Sequence, residues 1–261
     1  MKIAIGINIF KSYDRQTRCI DVLKKLKRLY SNIELYNISF DTEKNLDSDF
    51  IHLPLLKKRA KDIINGSISE KPIAKEFFDV LSNQECDYFL FLNSDILISE
   101  KLLKEILSKK FETMVFSRHD IYPLTSLTDK IIPFRIEIAG FDCWCVKKEW
   151  WVKNNNIFED FIYAEPLWDV DFSLKMFNYS DCILQNKEFF IAHEKHDLNW
   201  NENSLEAKYN SLLWEKTPYH EKWHEFIYSN LIHRKPYGQF LTPLENENEL
   251  QNKFLKISNE N

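Results

Sequence analysis

Several residue types and patterns are scarce in this sequence, and each shortage excludes something. The 261 residues include four glycines, which leaves few places for a tight backbone approach to a ligand. The five cysteines are an odd number and none forms a C-x-x-C pair, which argues against a disulfide framework and favours a reducing compartment. Since no run of about 18 apolar residues and no secretory leader is recognised, we expect a cytoplasmic protein without a membrane span.

Long blocks of like charge are also lacking, except in about the last twenty residues. The net charge is -5, from 35 basic and 40 acidic residues, and this balance does not indicate nucleic acid or an anionic membrane as a partner. The 7 Trp, 11 Tyr and 20 Phe leave a peripheral contact with the inner face of a membrane open. Nothing in the sequence indicates an oligomeric state.

What is present is ample material for one α/β domain. With 44% hydrophobic residues the chain can bury a sizeable core. We expect one main domain over residues 1–202, a helical extension over 203–243 packed on it, and an Asn/Glu-rich, mobile tail over 244–261.

Apolar runs and helical periodicities alternate along the chain. Strands are predicted at Lys2–Phe10, Ile33–Phe40, Tyr88–Leu92, Met114–Ser117, Ile136–Val146 and Phe189–Ala192. Helices are predicted around Ile20–Tyr30, at Lys58–Asn65 before Gly66, at Pro72–Leu81 with its proline in the first turn, from Ser99, at Leu167–Phe177, and from Asn203 to His233 with a break at Pro218. This alternation favours an open α/β sheet, in which ligands collect at the carboxyl ends of strands.

The triplet Asn93-Ser94-Asp95 stands at one such end, directly after the apolar run Tyr88–Leu92. A carboxylate there can hold a divalent cation, and Asn93 and Ser94 can bond a ribose or water. The same three residue types are also favoured in any strand-to-helix turn.

The wider string Phe89–Ile98 resembles the "apolar strand, N-S-D-I, apolar" string of small glycosyltransferase-like proteins with the GT-A fold, as a variant of their D-x-D motif. Four further segments resemble the same group in the same order over roughly residues 1 to 200: Ser117–Asp120, Ala139–Trp144, Pro166–Asp169, and Ala192–Asp197 with Trp200. The resemblance implies an open, mixed, mainly parallel sheet flanked by helices. It also implies a nucleotide-sugar donor, Mn²⁺ or Mg²⁺ at the diphosphate, hexosyl transfer, and a glycan or lipid-linked acceptor of polysaccharide biosynthesis.

The resemblance assigns the donor side as follows. Asp95 and His193 are the expected metal ligands, with His196 as the substitute; otherwise His193 is a hydrogen-bonded histidine at a strand end. Asp41 is placed where related folds hold the nucleobase or ribose, or it only caps a loop. Arg59 can reach the diphosphate or belong to a solvated helix face. The loop from Asn8 to Arg18 should border the nucleotide, with Asn8 as its candidate contact.

The acceptor side rests on a cluster of acids near the start of the Leu167 helix. An inverting transfer needs one carboxylate to deprotonate the acceptor hydroxyl, and Asp169 matches the place of that base in inverting GT-A enzymes. Glu165 and Asp171 compete for the role, and each acid can instead serve only at the helix start. Asp142 is expected to hold an acceptor or donor hydroxyl, or to line a pocket edge.

Two other functions stay open at the level of the sequence. His220-Glu221-Lys222-Trp223-His224 fits the H-E-x-x-H pattern of zinc peptidases, although a charged Lys222 is unwelcome on the side of such a helix that faces the core. Because Asn93 replaces an acid, a non-catalytic nucleotide- or sugar-binding protein of the same fold is the third possibility.

Overall fold

The computed structural model describes residues 1–9, 14–127, 131, 133–185, 189–196 and 201–217. Its strands are β1 (Ile3–Ile7), β2 (Ile33–Ile38), β3 (Ile51–Leu53), β4 (Tyr88–Leu92), β5 (Ile96–Ile98), β6 (Thr113–Ile121), β7 (Pro133–Lys147), β8 (Cys182–Gln185) and β9 (Ile191–Glu194). Its helices are α1 (Asp14–Leu29), α2 (Ala60–Ile63), α3 (Ala74–Ser82), α4 (Glu100–Ser108), α5 (Lys148–Asn154), α6 (Trp168–Tyr179) and α7 (Leu205–Trp214).

The strands form one mixed sheet in the order β3-β2-β1-β4-β7-β6-β9-β5, with β8 pairing β6. β1 runs parallel to β2 and β4, and β6 runs parallel to β8 and β9. β7 is antiparallel to both of its neighbours, β4 and β6. The predicted class, an open and mainly parallel α/β sheet flanked by helices, is confirmed.

Two apolar layers cover the two faces of the sheet. One is aromatic and packs α3, α5 and α6 against β4 and β7, with Phe78, Trp144 and Trp151 in its centre. The other is aliphatic and packs α1 and α4 against the opposite face. Gly6 on β1 allows α3 to approach closely, because a Cβ at this position would lie 2.7 Å from Leu81. Because β1 runs parallel to β2 and β4, the carboxyl ends of these three strands lie at the same edge of the sheet.

Long elements agree with the sequence pattern, and short ones do not. β4 has the predicted bounds, and Ser99 caps α4 by accepting a hydrogen bond from the amide of Leu102. The Lys58–Asn65 helix is a single turn, α2, followed by Gly66 at φ +82°. The placement of Pro72 in a helical first turn was wrong: Pro72 precedes α3 and forms a β-bridge with Arg59. The short strands β3, β5 and β8 and helix α5 had no predicted counterpart.

The last described segment, residues 201–217, packs on the same body. The side chain of Asn210 on α7 accepts a hydrogen bond from the amide of Ile162 at 2.8 Å and donates to the carbonyls of Ile162 and Pro166, each at 3.0 Å. Trp214 joins the aromatic layer. Within the part of the chain that the structure describes, no helix is long and apolar enough to cross a membrane.

Candidate active site

A short strand pair builds the centre of the site. β5 follows the Asn93-Ser94-Asp95 turn at once and pairs antiparallel with β9, so that Ile96 lies opposite His193. This pairing brings Asp95 next to His193 although they are far apart in sequence. β9 also runs parallel to β6, with Asp120 opposite His193.

Three ligand-type side chains converge there: Asp95, His193 and His196. The Nε2 atom of His196 lies 3.2 Å from Oδ2 of Asp95 and 3.2 Å from Nε2 of His193. Nε2 of His193 lies 3.9 Å from the same carboxylate oxygen. The arrangement thus joins both predicted ligands, Asp95 and His193, with the substitute His196, and we name these three residues the metal cluster.

The surroundings of the metal cluster favour the forms that bind cations. Burial opposes ionisation of Asp95, but a hydrogen bond from His196 and the charges of His193, His196 and Arg15 prevail and lower its pKa. Nδ1 of His193 lies 3.1 Å from Oδ1 of Asp120. A carboxylate only accepts, so in the neutral form of His193, the one that binds a metal, this contact places the proton on Nδ1 and leaves the Nε2 lone pair facing Asp95 and His196. The donor set therefore fits a divalent transition metal.

An open cleft of about 410 Å³ adjoins the metal cluster. Its walls are formed by Asp14, Arg15, Arg18, Pro123, Glu194, Lys195 and His196. The guanidinium of Arg18 donates two hydrogen bonds to the carboxylate of Glu194, at 2.7 and 2.6 Å, which fastens α1 to β9. Arg15 Nε lies 3.7 Å from Oδ2 of Asp95. The cleft therefore lies between the N-terminus of α1 and the metal cluster, and its walls carry both basic and acidic side chains.

A second feature, which we name the polar row, consists of Tyr163, Asn93, Asp142 and Arg118. The hydroxyl of Tyr163 donates to Oδ1 of Asn93 at 2.9 Å, and Nδ2 of Asn93 donates to Oδ1 of Asp142. Arg118 donates to Oδ2 of Asp142 at 3.0 Å. Arg118 Nε also lies 3.2 Å from Asp120, the partner of His193, so the polar row reaches the metal cluster. Burial, with the charges of Asp95 and Asp142, raises the pKa of Tyr163 well above its usual value.

Asp169 stands in the first turn of α6 beside the polar row. Burial, and next the charge of Asp142, raise its pKa to about 7, against the opposing effect of Arg118. The segment before α6 is strained, because Ala164 and Leu167 have φ values of 59° and 78° although neither is glycine. A carboxyl group with a pKa near neutrality on a strained segment is a common arrangement for a general base.

The competing acids have partners of their own. Glu165 is buried and accepts a hydrogen bond from Nζ of Lys71 at 2.5 Å. Asp171 lies on the core side of α6, where Lys175 Nζ is 2.7 Å from its carboxylate, and it is fully buried. Among the three acids, Asp169 alone combines partial exposure with closeness to Asp142 and Arg118.

Asn8 and Ser94 are linked through one buried residue of α1. Nε2 of Gln16 lies 2.7 Å from Oγ of Ser94 and 3.3 Å from the carbonyl oxygen of Asn8. The side chain of Asn8 donates to the carbonyl of Ile38 at 2.6 Å. Gln16 thus connects the end of β1 with the turn after β4. Asn8 and Ser94 are both buried and contribute to the structure of this edge of the sheet.

Asp41 and Arg59 belong to the β2 end of the same edge. β2 is separated from β4 by β1, which corresponds to about 10 Å. Asp41 is exposed in the turn after β2. Arg59 stacks on the ring of Phe40 at 3.7 Å, donates to Thr42 at 2.9 Å and pairs with Glu70 at 2.6 Å. These contacts hold the guanidinium of Arg59 between Phe40, Thr42 and Glu70.

Sequence reasoning named the segments that contain Arg15, Gln16, Arg118 and Asp120 but gave these four residues no role, and it did not name Tyr163. The available signal was their burial pattern: Gln16 is on the apolar face of α1, and Arg118 and Asp120 extend an apolar strand. Polar side chains at such positions indicate a site because burial requires them to have partners. The H-E-x-x-H segment, His220 to His224, lies outside the described residues.

Comparison with known proteins places the fold. No protein-family model matches the chain, and no curated protein matches it in sequence. Among solved structures, residues 1–349 of TarS from S. aureus match 98% of this chain over 71% of their own length, with a TM-score of 0.53 and 11% identity. The complex of the same fragment with UDP-GlcNAc matches 98% of this chain over 72% of its own length, with a TM-score of 0.51 and 10% identity. The chain has a GT-A-like fold, which it shares with the TarS fragment.

Proposed function

We propose that the protein is a glycosyltransferase that takes a nucleotide-sugar donor in the cleft beside the metal cluster and transfers the sugar to a glycan or lipid-linked acceptor. The observation that carries the proposal is the convergence of Asp95, His193 and His196 at the carboxyl edge of a GT-A-like sheet, next to an open cleft whose wall includes Arg15 and Lys195. In this type of sheet, ligands bind at that edge.

The donor side follows from the charges of the cleft. A nucleoside diphosphate carries negative charge, which the N-terminus of α1 and the cation Arg15 attract. Asp95, His193 and His196 would hold a divalent cation, whose charge stabilises the diphosphate as it leaves. Arg15, which lies next to Asp95, replaces Arg59 as the proposed phosphate contact.

The acceptor side rests on Asp169. In its ionised form Asp169 would accept the proton of the acceptor hydroxyl as that oxygen attacks the sugar. Asp142 and Arg118 lie next to Asp169 and would bind hydroxyl groups of the sugar or of the acceptor. A pKa of about 7 makes Asp169 a stronger base than an ordinary Asp while leaving it largely ionised at slightly alkaline pH.

The test is a thermal-shift screen of the purified protein with UDP, GDP, CDP, ADP and CMP, each with and without Mn²⁺, and with Zn²⁺ alone as a separate arm. UDP is the first choice because the TarS fragment was solved with UDP-GlcNAc. We expect one nucleoside diphosphate to raise the Tm in proportion to the logarithm of its concentration, and to do so only with Mn²⁺. Hydrolysis or transfer of the matching nucleotide sugar is then measured.

The variant Asp95→Ala is expected to lose the Mn²⁺-dependent shift and to lower turnover by at least about 10²-fold while remaining folded. Asp181→Ala, at an exposed position between α6 and β8, is the matched control. Mn²⁺-dependent nucleotide binding that survives Asp95→Ala would remove the metal cluster from the donor site. Stabilisation by Zn²⁺ that persists in Asp95→Ala, where the metal cluster is broken, would instead favour the zinc-peptidase alternative.

A further inference from the structure

The amide of Asn93 occupies the place where the D-x-D motif has its first acid. Two contacts fix how this amide is turned: the Tyr163 hydroxyl donates to its oxygen, and Asp142 accepts from its nitrogen. A carboxylate can only accept, so an acid at position 93 could keep the bond from Tyr163 but would face the carboxylate of Asp142 without a proton between them. The surroundings of residue 93 thus fit an amide and exclude an ionised acid.

Both partners of Asn93 are themselves held firmly. Tyr163 packs its ring against Phe77 with centroids 4.8 Å apart and against Trp168 with centroids 5.3 Å apart, inside the aromatic layer. Asp142 lies on β7, directly beside the end of β4, where its carbonyl oxygen accepts a hydrogen bond from the amide of Asn93 at 3.1 Å. Arg118 binds the other oxygen of Asp142. The side chains on both sides of Asn93 cannot turn away without breaking buried contacts.

We propose that Asn93 is a positioning residue: it holds the carboxylate of Asp142 in place between itself and Arg118, in the orientation that binds a hydroxyl group of the sugar or of the acceptor. The amide of the variant triplet then has a role of its own and is not the trace of a lost activity. The inference deepens the proposed function. Its measurements of Mn²⁺ affinity and of activity rest on that function, whereas its measurement of Tm does not.

An exchange of the two residues tests this. Asn93→Asp should lower the Tm by roughly 5 °C, since two carboxylates then meet in a buried place. Asp142→Asn should also lower the Tm, because the acceptor of Arg118 and Asn93 loses its charge. The double variant Asn93→Asp with Asp142→Asn should recover at least half of the summed loss. In it, the amide introduced at position 142 would donate to the carboxylate introduced at position 93 and accept from Arg118, while Tyr163 still donates to position 93.

The matched control is Asn203→Asp with Asp21→Asn, an exchange of the same residue types at two exposed positions that do not touch each other, for which the two effects should add. Mn²⁺ affinity is measured in parallel by calorimetry. If position 93 were an ordinary D-x-D acid lost by drift, Asn93→Asp would tighten Mn²⁺ binding and keep the Tm, and that result would overturn the proposal. So would additive Tm losses in the double variant.

The two levels of inference fail separately. The Tm and Mn²⁺ measurements need no substrate, so they remain readable if no nucleotide sugar is turned over. If the protein does transfer sugar, we expect each single variant to lower kcat at least about 10-fold and the double variant to recover part of that loss. Recovery of kcat with unrecovered Tm would contradict a positioning role for Asn93.

Discussion

At the scale of single residues, Asp169 shows how environment decides what a carboxyl group can do. Its neighbours Glu165 and Asp171 are paired with lysines, whereas the carboxyl group of Asp169 is buried next to the negative Asp142, and backbone hydrogen bonds and Arg118 offset these two effects only in part. The result is a pKa raised from 3.8 to about 7. A group in this state affects both catalysis and stability, and the two effects have opposite signs.

We predict that Asp169→Asn lowers the rate of transfer about 10²- to 10⁴-fold but stabilises the fold at alkaline pH. The folded state keeps a proton on Asp169 that the unfolded state has lost between pH 3.8 and about 7, so the free energy of unfolding falls as the pH rises through that window. Asparagine does not titrate, so the free energy of unfolding of the variant lacks this fall. We expect equal Tm values for both proteins near pH 4 and a Tm higher by about 2–6 °C in the variant at pH 8, measured by thermal unfolding. Parallel Tm curves from pH 4 to 8 would contradict the raised pKa.

The same ionisation should appear in the activity of the wild-type protein. A base must be ionised, so log(kcat/KM), which reports the pKa of the free enzyme, is expected to rise with a slope of one up to about pH 7 and then level off. In Asp169→Asn the residual rate should lack this limb and lie about 10²- to 10⁴-fold lower. Asp21→Asn, at an exposed position on α1, serves as the control and should keep the wild-type profile. A residual rate with the unchanged limb would assign the titration to another group.

At the scale of elements, the segment from Tyr163 to Leu167 carries both Tyr163 of the polar row and the entry to Asp169. It is held from outside by Asn210 of α7 and by Lys71, whose Nζ reaches Glu165. Its two left-handed residues, Ala164 and Leu167, store strain that the packing of the neighbouring elements must offset. Strain of this kind commonly accompanies a site whose geometry is fixed before the substrate arrives.

Ala164→Gly is predicted to exchange activity for stability. Ala164 is exposed and has φ 59°, so removing its Cβ relieves about 1 kcal/mol of strain and loses little packing, which should raise the Tm by about 1–4 °C. The freer segment should position Asp169 less well and lower kcat about 2- to 10-fold. Lys104→Gly, in the exposed middle of α4, is the control and should lower the Tm. A lower Tm in Ala164→Gly would mean that the segment is not strained.

The elements also show what a single sequence can and cannot reveal. β4 was predictable with its bounds because five consecutive apolar residues have few alternatives to a buried strand. β5 was not, because three apolar residues between Asp95 and Ser99 look like the end of a turn, and their partner β9 comes about 95 residues later. The pairing of β5 with β9 is what creates the metal cluster. Asp95 and His193 could be named from the order of motifs, but the part of Asn93 in the polar row depends on β7 and could not.

At the scale of the whole molecule, the metal cluster draws its ligands from the turn after β4 and from the end of β9, and the sheet holds them together. Such a site has a ligand chemistry that neither segment has by itself. Two imidazoles and one carboxylate suit borderline-soft transition metals, whereas Mg²⁺ prefers oxygen ligands and keeps its waters. The fold thus brings together a donor set that favours transition metals over Mg²⁺.

We therefore predict that the wild-type protein binds Mn²⁺ at least about 10²-fold more tightly than Mg²⁺, measured by calorimetry without nucleotide. His196→Ala should weaken Mn²⁺ binding about 10- to 100-fold and leave the weak Mg²⁺ binding nearly unchanged, because the lost ligand is a nitrogen that Mg²⁺ uses poorly. His52→Ala is the matched control: His52 lies on β3 at the far side of the sheet, contacts Ser39, and should leave both affinities as they are. Equal affinities for the two ions in the wild type would mean that the imidazoles do not ligate and that Asp95 binds the cation through oxygen and water alone. If the ratio of Mn²⁺ to Mg²⁺ affinity falls in His196→Ala while the Tm without metal stays constant, the selectivity comes from the ligands that the pairing of β5 and β9 brings together, and not from either segment separately.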